Sequence, residues 1–420
     1  MNRISMLSVA VFGAMAAAAA PVVSNVTISQ NVGREVTVTY DLSEDAIVTF
    51  DVVTNGVSIG AANLRNAHGD VNMRVSAGSG TIKWRPDQSC PGIKLKNPVT
   101  RAVVTAWALN APPLFMSVST VVADTVRFYV SEEALPYPVT DNYWKLDTLL
   151  MRRIPAAGVT WRMGSPKNEG GSADYRAQEI PHYVALSSDY YIGVYEVTKR
   201  QYANVTGWKS WYIANEPDAD MCPAENMKFA ELRGGNWPTG AAPAADSGVD
   251  KFQKFTGLPL DLPTEAQWEY ACRAGTGSGL NSGKETDTNW AALNMDEVAW
   301  CVQNSNDTKS SCTGRHTYPV GLKLENNWGL YDMHGNVLEW CLDYYSTGDA
   351  YYATIGSDYK DGDTVIDPKG PESGTARAVR GGYYSSYGKE CRSSFRSSYS
   401  ESAKVYGRCG LRLACPVAIP

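Results

Sequence analysis

The side chains with the greatest chemical capacity in this chain are nine cysteines and four histidines. Paired thiolates suit a soft ion such as copper(I), and a CxxC pair suits thiol–disulfide exchange or zinc. No CxxC occurs, so neither a redox motif nor a zinc site is expected. His68, His182, His316 and His334 are scattered without an i/i+4 pair, which reads as surface or hydrogen-bonded structural histidine. No nucleophile-elbow pattern supports a Ser–His–Asp triad. Two other clusters stand out. Asp332 and Glu339 bracket a short stretch around Gly335. On the residues alone, that stretch is equally a solvated acidic turn or a hard-oxygen site of the kind calcium takes. Between Arg380 and Leu413 the chain is crowded with Tyr and Ser, including Tyr383, Tyr384, Ser386, Tyr387 and Tyr399. Tyr supplies contact area at low entropy cost and Ser supplies adaptable hydrogen bonds, the composition of antibody-type binding surfaces. A polar loop surface without a ligand has the same composition.

Those residues must be carried by a scaffold, and the composition bounds it. The chain has 420 residues, enough for two or three domains. It is 44% hydrophobic and 20% charged, which permits an ordinary core and excludes bulk disorder. A net charge of −6 disfavours nucleic acid and anionic membranes, which want a basic face. Asn2 and Arg3 precede an apolar run from Ile4 to about Ala17 and the small residues Ala16–Ala20. This pattern predicts a secretory signal over residues 1–20, cleaved ahead of Pro21. The expected location is therefore secreted, periplasmic or at the cell surface, where disulfides form. No later stretch is long and apolar enough to predict an integral membrane segment.

From Pro21 to Val130 the pattern alternates with period two, as in Val36–Tyr40, Ile47–Val52, Thr81–Trp84 and Val103–Trp107. Turn clusters separate these runs, so residues 21–130 read as an all-β immunoglobulin-like sandwich. Leu135-Pro136-Tyr137-Pro138 predicts an extended linker over 131–146. Beyond it, residues 147–420 mix strands and helices. Thr264 and Gln267 can form a capping box opening a helix that Gly275 ends, and a second helix should start at Thr198. Cys301 and Cys312 could close a local disulfide loop, and Cys341 could pair with Cys409 or Cys415. With an odd count, at least one cysteine stays free, Cys90 or Cys222 being the candidates.

The second region carries an ordered series of landmarks: Trp161-Arg162-Met163-Gly164-Ser165, Tyr195-Glu196-Val197-Thr198, Leu262-Pro263-Thr264-Glu265-Ala266-Gln267-Trp268-Glu269-Tyr270, Trp328–Trp340, Arg380-Gly381-Gly382, Cys391-Arg392-Ser393 and Gly410-Leu411-Arg412-Leu413. By these it resembles the formylglycine-generating enzyme family, the sulfatase-modifying factors, from about Met151 to Ala414. The resemblance implies an α+β fold related to C-type lectins and poor in regular secondary structure. It also implies an enzyme that oxidises a sulfatase cysteine with oxygen and copper held by two cysteines. After Arg380-Gly381-Gly382 this chain has one cysteine, Cys391, where that chemistry needs two, and Tyr383 where the family has serine.

Copper is therefore not expected, and catalytic residues cannot be assigned. By the resemblance, Cys391 matches a structural position that would pair with Cys272. The resemblance also makes Asp332–Glu339 a calcium loop, with side chains from Asp332 and Glu339 and carbonyls from Gly335 and Val337. The expected function is a secreted, non-oxidising binding or surface-interaction module. Its ligand would be an unidentified protein, peptide or glycan, contacted by Tyr383, Tyr384, Ser386, Tyr387, Arg392, Phe395 and Tyr399. A narrower form of this reading is a ligand binder diversified by a retroelement, since such proteins share the lectin-like scaffold. The alternative is a formylglycine-generating-type oxidase or a related metal-dependent oxidoreductase.

Overall fold

A computed structural model describes residues 20–91, 99–165, 169, 178–213, 218–286, 294–306, 314–347 and 363–418. Residues 1–19 of the expected signal lie outside the described residues, as does Cys312. Strands β1 (Val23–Gln30), β2 (Val36–Leu42), β3 (Ala46–Thr54), β4 (Val57–Ser58), β5 (His68–Gly69), β6 (Met73–Val75), β7 (Gly78–Trp84) and β8 (Thr100–Trp107) build the first unit. One sheet runs β1-β2-β7-β5, and in the other β3 pairs with β4, β6 and β8. The period-two reading holds in detail: along β2 the residues Val36, Val38, Tyr40 and Leu42 are buried and those between them are more open. They meet Val48, Phe50 and Val52 of β3 and Ile82 and Trp84 of β7 in one core. Burial of each such side chain stabilises by about 1.5–3 kcal/mol.

This unit ends earlier than residue 130. Strands β9 (Phe115–Ser119) and β10 (Val126–Tyr129) belong to a five-stranded sheet with β11 (Thr148–Ile154), β14 (Tyr190–Gly193) and β22 (Ala414–Pro416), in the order β10-β9-β11-β14-β22. Met151 faces Met116 on one side and Gly193 on the other. Alternation identifies a strand but not the sheet it joins, so the change of unit falls between Trp107 and Phe115. Residues 131–146 are likewise packed rather than a free linker. Trp144 is buried with its indole N–H on the Pro138 carbonyl, and the Tyr195 hydroxyl donates to the Val139 carbonyl. Ile47 of the first unit packs into the core cluster that holds Met116, Val118 and Phe128 of the second, and the Phe128 amide donates to the Asn72 carbonyl.

The rest of the second unit is a set of small sheets. β12 (Thr160–Met163), β13 (His182–Ala185) and β18 (Thr364–Ile366) form one; β15 (Ala299–Trp300) pairs with β16 (His334–Gly335). The order β20-β19-β17-β21 joins Ser397–Tyr399, Arg377–Arg380, Leu338–Tyr344 and Cys409–Gly410. Besides short helical turns at Tyr143–Leu146 and Phe229–Leu232, longer helices stand around them: α1 (Lys199–Thr206), α2 (Gly248–Thr256) and α3 (Glu265–Arg273). The predicted capping box of Thr264 with Gln267 is present, and the helix expected to start at Thr198 opens on a second one, Thr198 with Gln201. Helix α3 ends at Arg273 because Ala274 turns left-handed, ahead of Gly275.

Candidate functional site

The region around Arg380–Gly410 is held by a buried ionic frame. From α3, Glu265 takes both Nε and Nη2 of Arg396 at 2.6 Å. Glu269 accepts from Arg273 Nε at 2.8 Å and from Arg380. Arg380 also donates to the carbonyls of Ser393, Ser394 and Phe395, so it fixes the following turn by its backbone. Arg392 forks onto Glu179 (2.7 and 2.8 Å) and reaches Glu169 at 2.6 Å. Arg412 pairs with Glu339 at 2.8 Å, and the Trp268 indole N–H donates to the same carboxylate at 2.6 Å. These charges are almost wholly removed from water. Buried charge is tolerated only when it is paired and hydrogen-bonded, which explains why arginine, with its planar fork, fills every cationic position.

This frame changes the expected ligand contacts. Arg392 has 0% exposure and is a structural ion-pair member, not a ligand contact. Phe395 and Tyr384 are buried too, and so are Ser386, Ser393 and Ser394. Tyr383, Tyr387 and Tyr399 remain partly open. Around them the structure adds residues the sequence pattern did not single out. Tyr406 is 52% exposed and Tyr212 58% exposed, and their rings meet edge-on at 5.9 Å. A side chain at Gly407 would fall 2.9 Å from the Tyr212 ring, so the turn seats that ring closely. The Arg408 guanidinium lies 5.7 Å from the Tyr383 ring centre and hydrogen-bonds the Tyr399 hydroxyl. Tyr383 packs edge-on against Tyr384 at 5.2 Å. The outcome is two aromatic groups, the exposed pair Tyr212–Tyr406 and the half-buried Tyr383 and Tyr399 with Arg408, joined in sequence through Tyr406-Gly407-Arg408. Tyr212 comes from far upstream in the chain, which is why a local composition search passes over it.

The thiols are arranged differently from the pairing that the resemblance implied. Cys272 and Cys391, the pair that the resemblance implied, stand as free, buried thiols in different core clusters, Cys391 beside Cys301. Cys272 Sγ instead faces Ser393 Oγ at 3.5 Å, with the His334 ring beyond. Ser393, two positions past Cys391, occupies the place opposite the helix cysteine. Cys301 is likewise a free thiol, and its expected partner Cys312 lies outside the described residues. Cys341, Cys409 and Cys415 are also free thiols, so neither expected pairing of Cys341 is formed. Burial pushes the Cys272 thiol up to about 12, and such a thiol is a poor nucleophile or soft-metal ligand near neutrality. His334 has both ring nitrogens satisfied: Nε2 accepts from the Asn281 amide at 3.0 Å and Nδ1 donates to the Cys391 carbonyl at 2.6 Å.

At the acidic turn, Asp332 adopts φ 55° and Asn336 φ 59°, which folds the chain back sharply. Asp332 Oδ2 accepts from the Gly321 amide at 2.6 Å, while the buried Oδ1 has no partner. Burial pushes this carboxyl up to about 6. An unpartnered buried carboxylate oxygen fits a hard cation. Glu339 does not, because Arg412 and Trp268 already use both its oxygens. Glu196 joins the same turn, accepting from the Asn336 side chain (2.7 Å) and the Val337 amide (3.1 Å). Among the described residues no three His, Cys, Asp or Glu side chains form a metal shell. Of the four positions, Asp332 offers a buried oxygen without a hydrogen-bond partner, whereas the Glu339 oxygens are shared with Arg412 and Trp268.

Residues 160–417 match the sulfatase-modifying factor enzyme 1-like domain. The chain belongs to that family. It is 35% identical over 298 residues to the formylglycine-generating enzyme of Streptomyces coelicolor, covering 62% of this chain and 88% of the relative. It is 30% identical over 213 residues to the chaperone protein LppX of Paenibacillus barcinonensis, covering 42% and 70%. Among solved structures, Treponema denticola variable protein 1 aligns with a TM-score of 0.48 and 25% identity over 64% of this chain and 95% of that one. The family's landmark residues fall on the frame just described: Glu265 and Glu269 of α3, Arg380, Glu339 and Arg412 are its charged members. In this chain the turn that the frame holds after Arg380 is filled with tyrosine and serine.

Proposed function

We propose that the chain is an exported, non-oxidising member of the family that binds a protein, peptide or glycan through the surface of Tyr212, Tyr383, Tyr399, Tyr406 and Arg408. The observation that carries this reading is the turn after Gly382. There, Tyr383, Tyr384, Ser385 and Ser386 stand in place of a thiol pair, and the one cysteine, Cys391, is buried. Two neighbouring thiolates are what a copper(I) oxidase requires, whereas exposed tyrosines around an arginine are what recognition surfaces favour. The ionic frame supports the same reading, since it presents these rings on a rigid backbone and so lowers the ordering cost of binding. The retroelement-diversified form is narrowed accordingly: variable positions would have to be the open ones, not Ser393, Ser394 or Phe395.

In this reading the first unit is an immunoglobulin-like spacer, and Asp332 would hold a structural calcium ion with Glu339 shaping the local field. Calcium there would supply charge neutralisation of a buried carboxylate. Screening the full-length protein against peptide and glycan arrays tests the reading. Saturable binding supports it, and signal no stronger than that of a denatured sample contradicts it.

A further inference from the structure

We propose that Cys301 and Cys391 form a disulfide when the chain folds under oxidising conditions, with Cys272 remaining a thiol. Both cysteines lie in one small buried cluster, with Leu280, Met295, Val298 and Ala299 as the other members and 0% exposure for each cysteine. The segments that carry them are already joined. The Val302 amide donates to the Ser386 carbonyl at 2.9 Å, and the Ser305 hydroxyl donates to the Tyr384 carbonyl. Cys391 is further pinned from below, because a side chain at Gly382 would fall 2.5 Å from its sulfur. Cys272 is turned toward Ser393 and His334 instead. The cluster therefore brings together two thiols about 90 residues apart in sequence, the kind of separation at which a cross-link restricts the unfolded chain strongly.

Glutathione disulfide, or another small disulfide, serves as oxidant. One of the two thiolates attacks it, its S–S bond breaks and one glutathione thiolate leaves. The second protein thiolate then displaces the remaining glutathione. Two protein thiols lose two electrons and two protons; one glutathione disulfide becomes two glutathiones. Because both cysteines are sealed in the native fold, the exchange occurs as the chain folds. The bridge ties β15 to the turn after Gly382, and it does not depend on what the aromatic surface binds.

The test is peptide mapping of the full-length chain, refolded with a glutathione disulfide couple, denatured without reductant and alkylated. A Cys301–Cys391 cross-linked peptide and an alkylated Cys272 are expected. In the same buffer, Cys301→Ser and Cys391→Ser should each lower Tm by about 5 °C, with no further fall in the double variant. Dithiothreitol present throughout refolding should remove most of the difference. Alkylation of both Cys301 and Cys391 in the oxidised sample overturns the proposal. So does a Cys272–Cys391 or Cys301–Cys312 peptide. The map of the unsubstituted protein decides the matter even if a serine variant fails to fold.

Discussion

Cys272 Sγ lies 3.5 Å from Ser393 Oγ, inside the core between α3 and the turn that follows Arg392. This contact places serine opposite the helix cysteine and releases Cys391 to a different pocket. Ser393→Cys should therefore create a new reducible cross-link to Cys272, visible as a linked peptide under non-reducing conditions. Absence of that peptide, with the variant otherwise folded, would mean that the two side chains are not in register.

Arg392 should behave as a stability residue. Its replacement by alanine leaves Glu179 and Glu169 buried without their main cation, and breaking one side of a buried pair costs about 3–5 kcal/mol. Urea denaturation should show that loss. A near-unchanged urea midpoint would return Arg392 to the list of ligand contacts.

Tyr406→Ala and Arg408→Ala should do the reverse. Both side chains are on the surface, where substitutions usually change stability by less than about 0.5 kcal/mol. Each should weaken array-detected binding at least fivefold, equivalent to about 1 kcal/mol or more. Undiminished binding with both replaced would place the binding surface elsewhere.

How much of this could be read beforehand depends on the range of the interaction. The caps of α1 and α3 are local, set by Thr198 with Gln201 and Thr264 with Gln267, and they were legible within a four-residue window. The alternation in β2 was equally legible, whereas Ala46–Phe50 of β3 is buried on both faces. Strands β9 and β10 fall inside the stretch read as one sandwich, but β9 pairs with β11 by a long-range contact that no periodicity encodes. Arg392 illustrates the same limit at the site: beside Tyr and Ser it looks like a surface cation, and only Glu179, over 200 residues away in sequence, makes it a core residue. Tyr212 reaches the aromatic surface by a comparable long-range contact.

Asp343 gives the fold a pH dependence. Burial, then the charge of Glu265, pushes this carboxyl up to about 7. The folded state therefore binds a proton that the unfolded state releases near pH 4. Its contribution is fully present below about pH 4 and is lost as pH rises through about 7. Asp343→Asn keeps an oxygen to accept from the Glu265 amide, the bond now made at 2.8 Å. The variant should gain roughly 1 kcal/mol or more over the parent at pH 8 and little at pH 4. Parallel urea curves at the two pH values would show this, and an equal offset at both would refute it.

Calcium should raise Tm of the parent protein and a chelator should lower it, because an ion bound only by the folded state stabilises by mass action. Asp332→Asn should abolish that response. An identical Tm with calcium and with chelator would remove the ion from the account.

The most direct test of the central claim is chemical. The full-length protein is incubated with copper, oxygen and a peptide containing Cys-x-Pro-x-Arg, and the peptide is analysed by mass spectrometry. A non-oxidising protein forms no aldehyde beyond the level of a protein-free control. Conversion of the cysteine to formylglycine in proportion to protein concentration would contradict that claim.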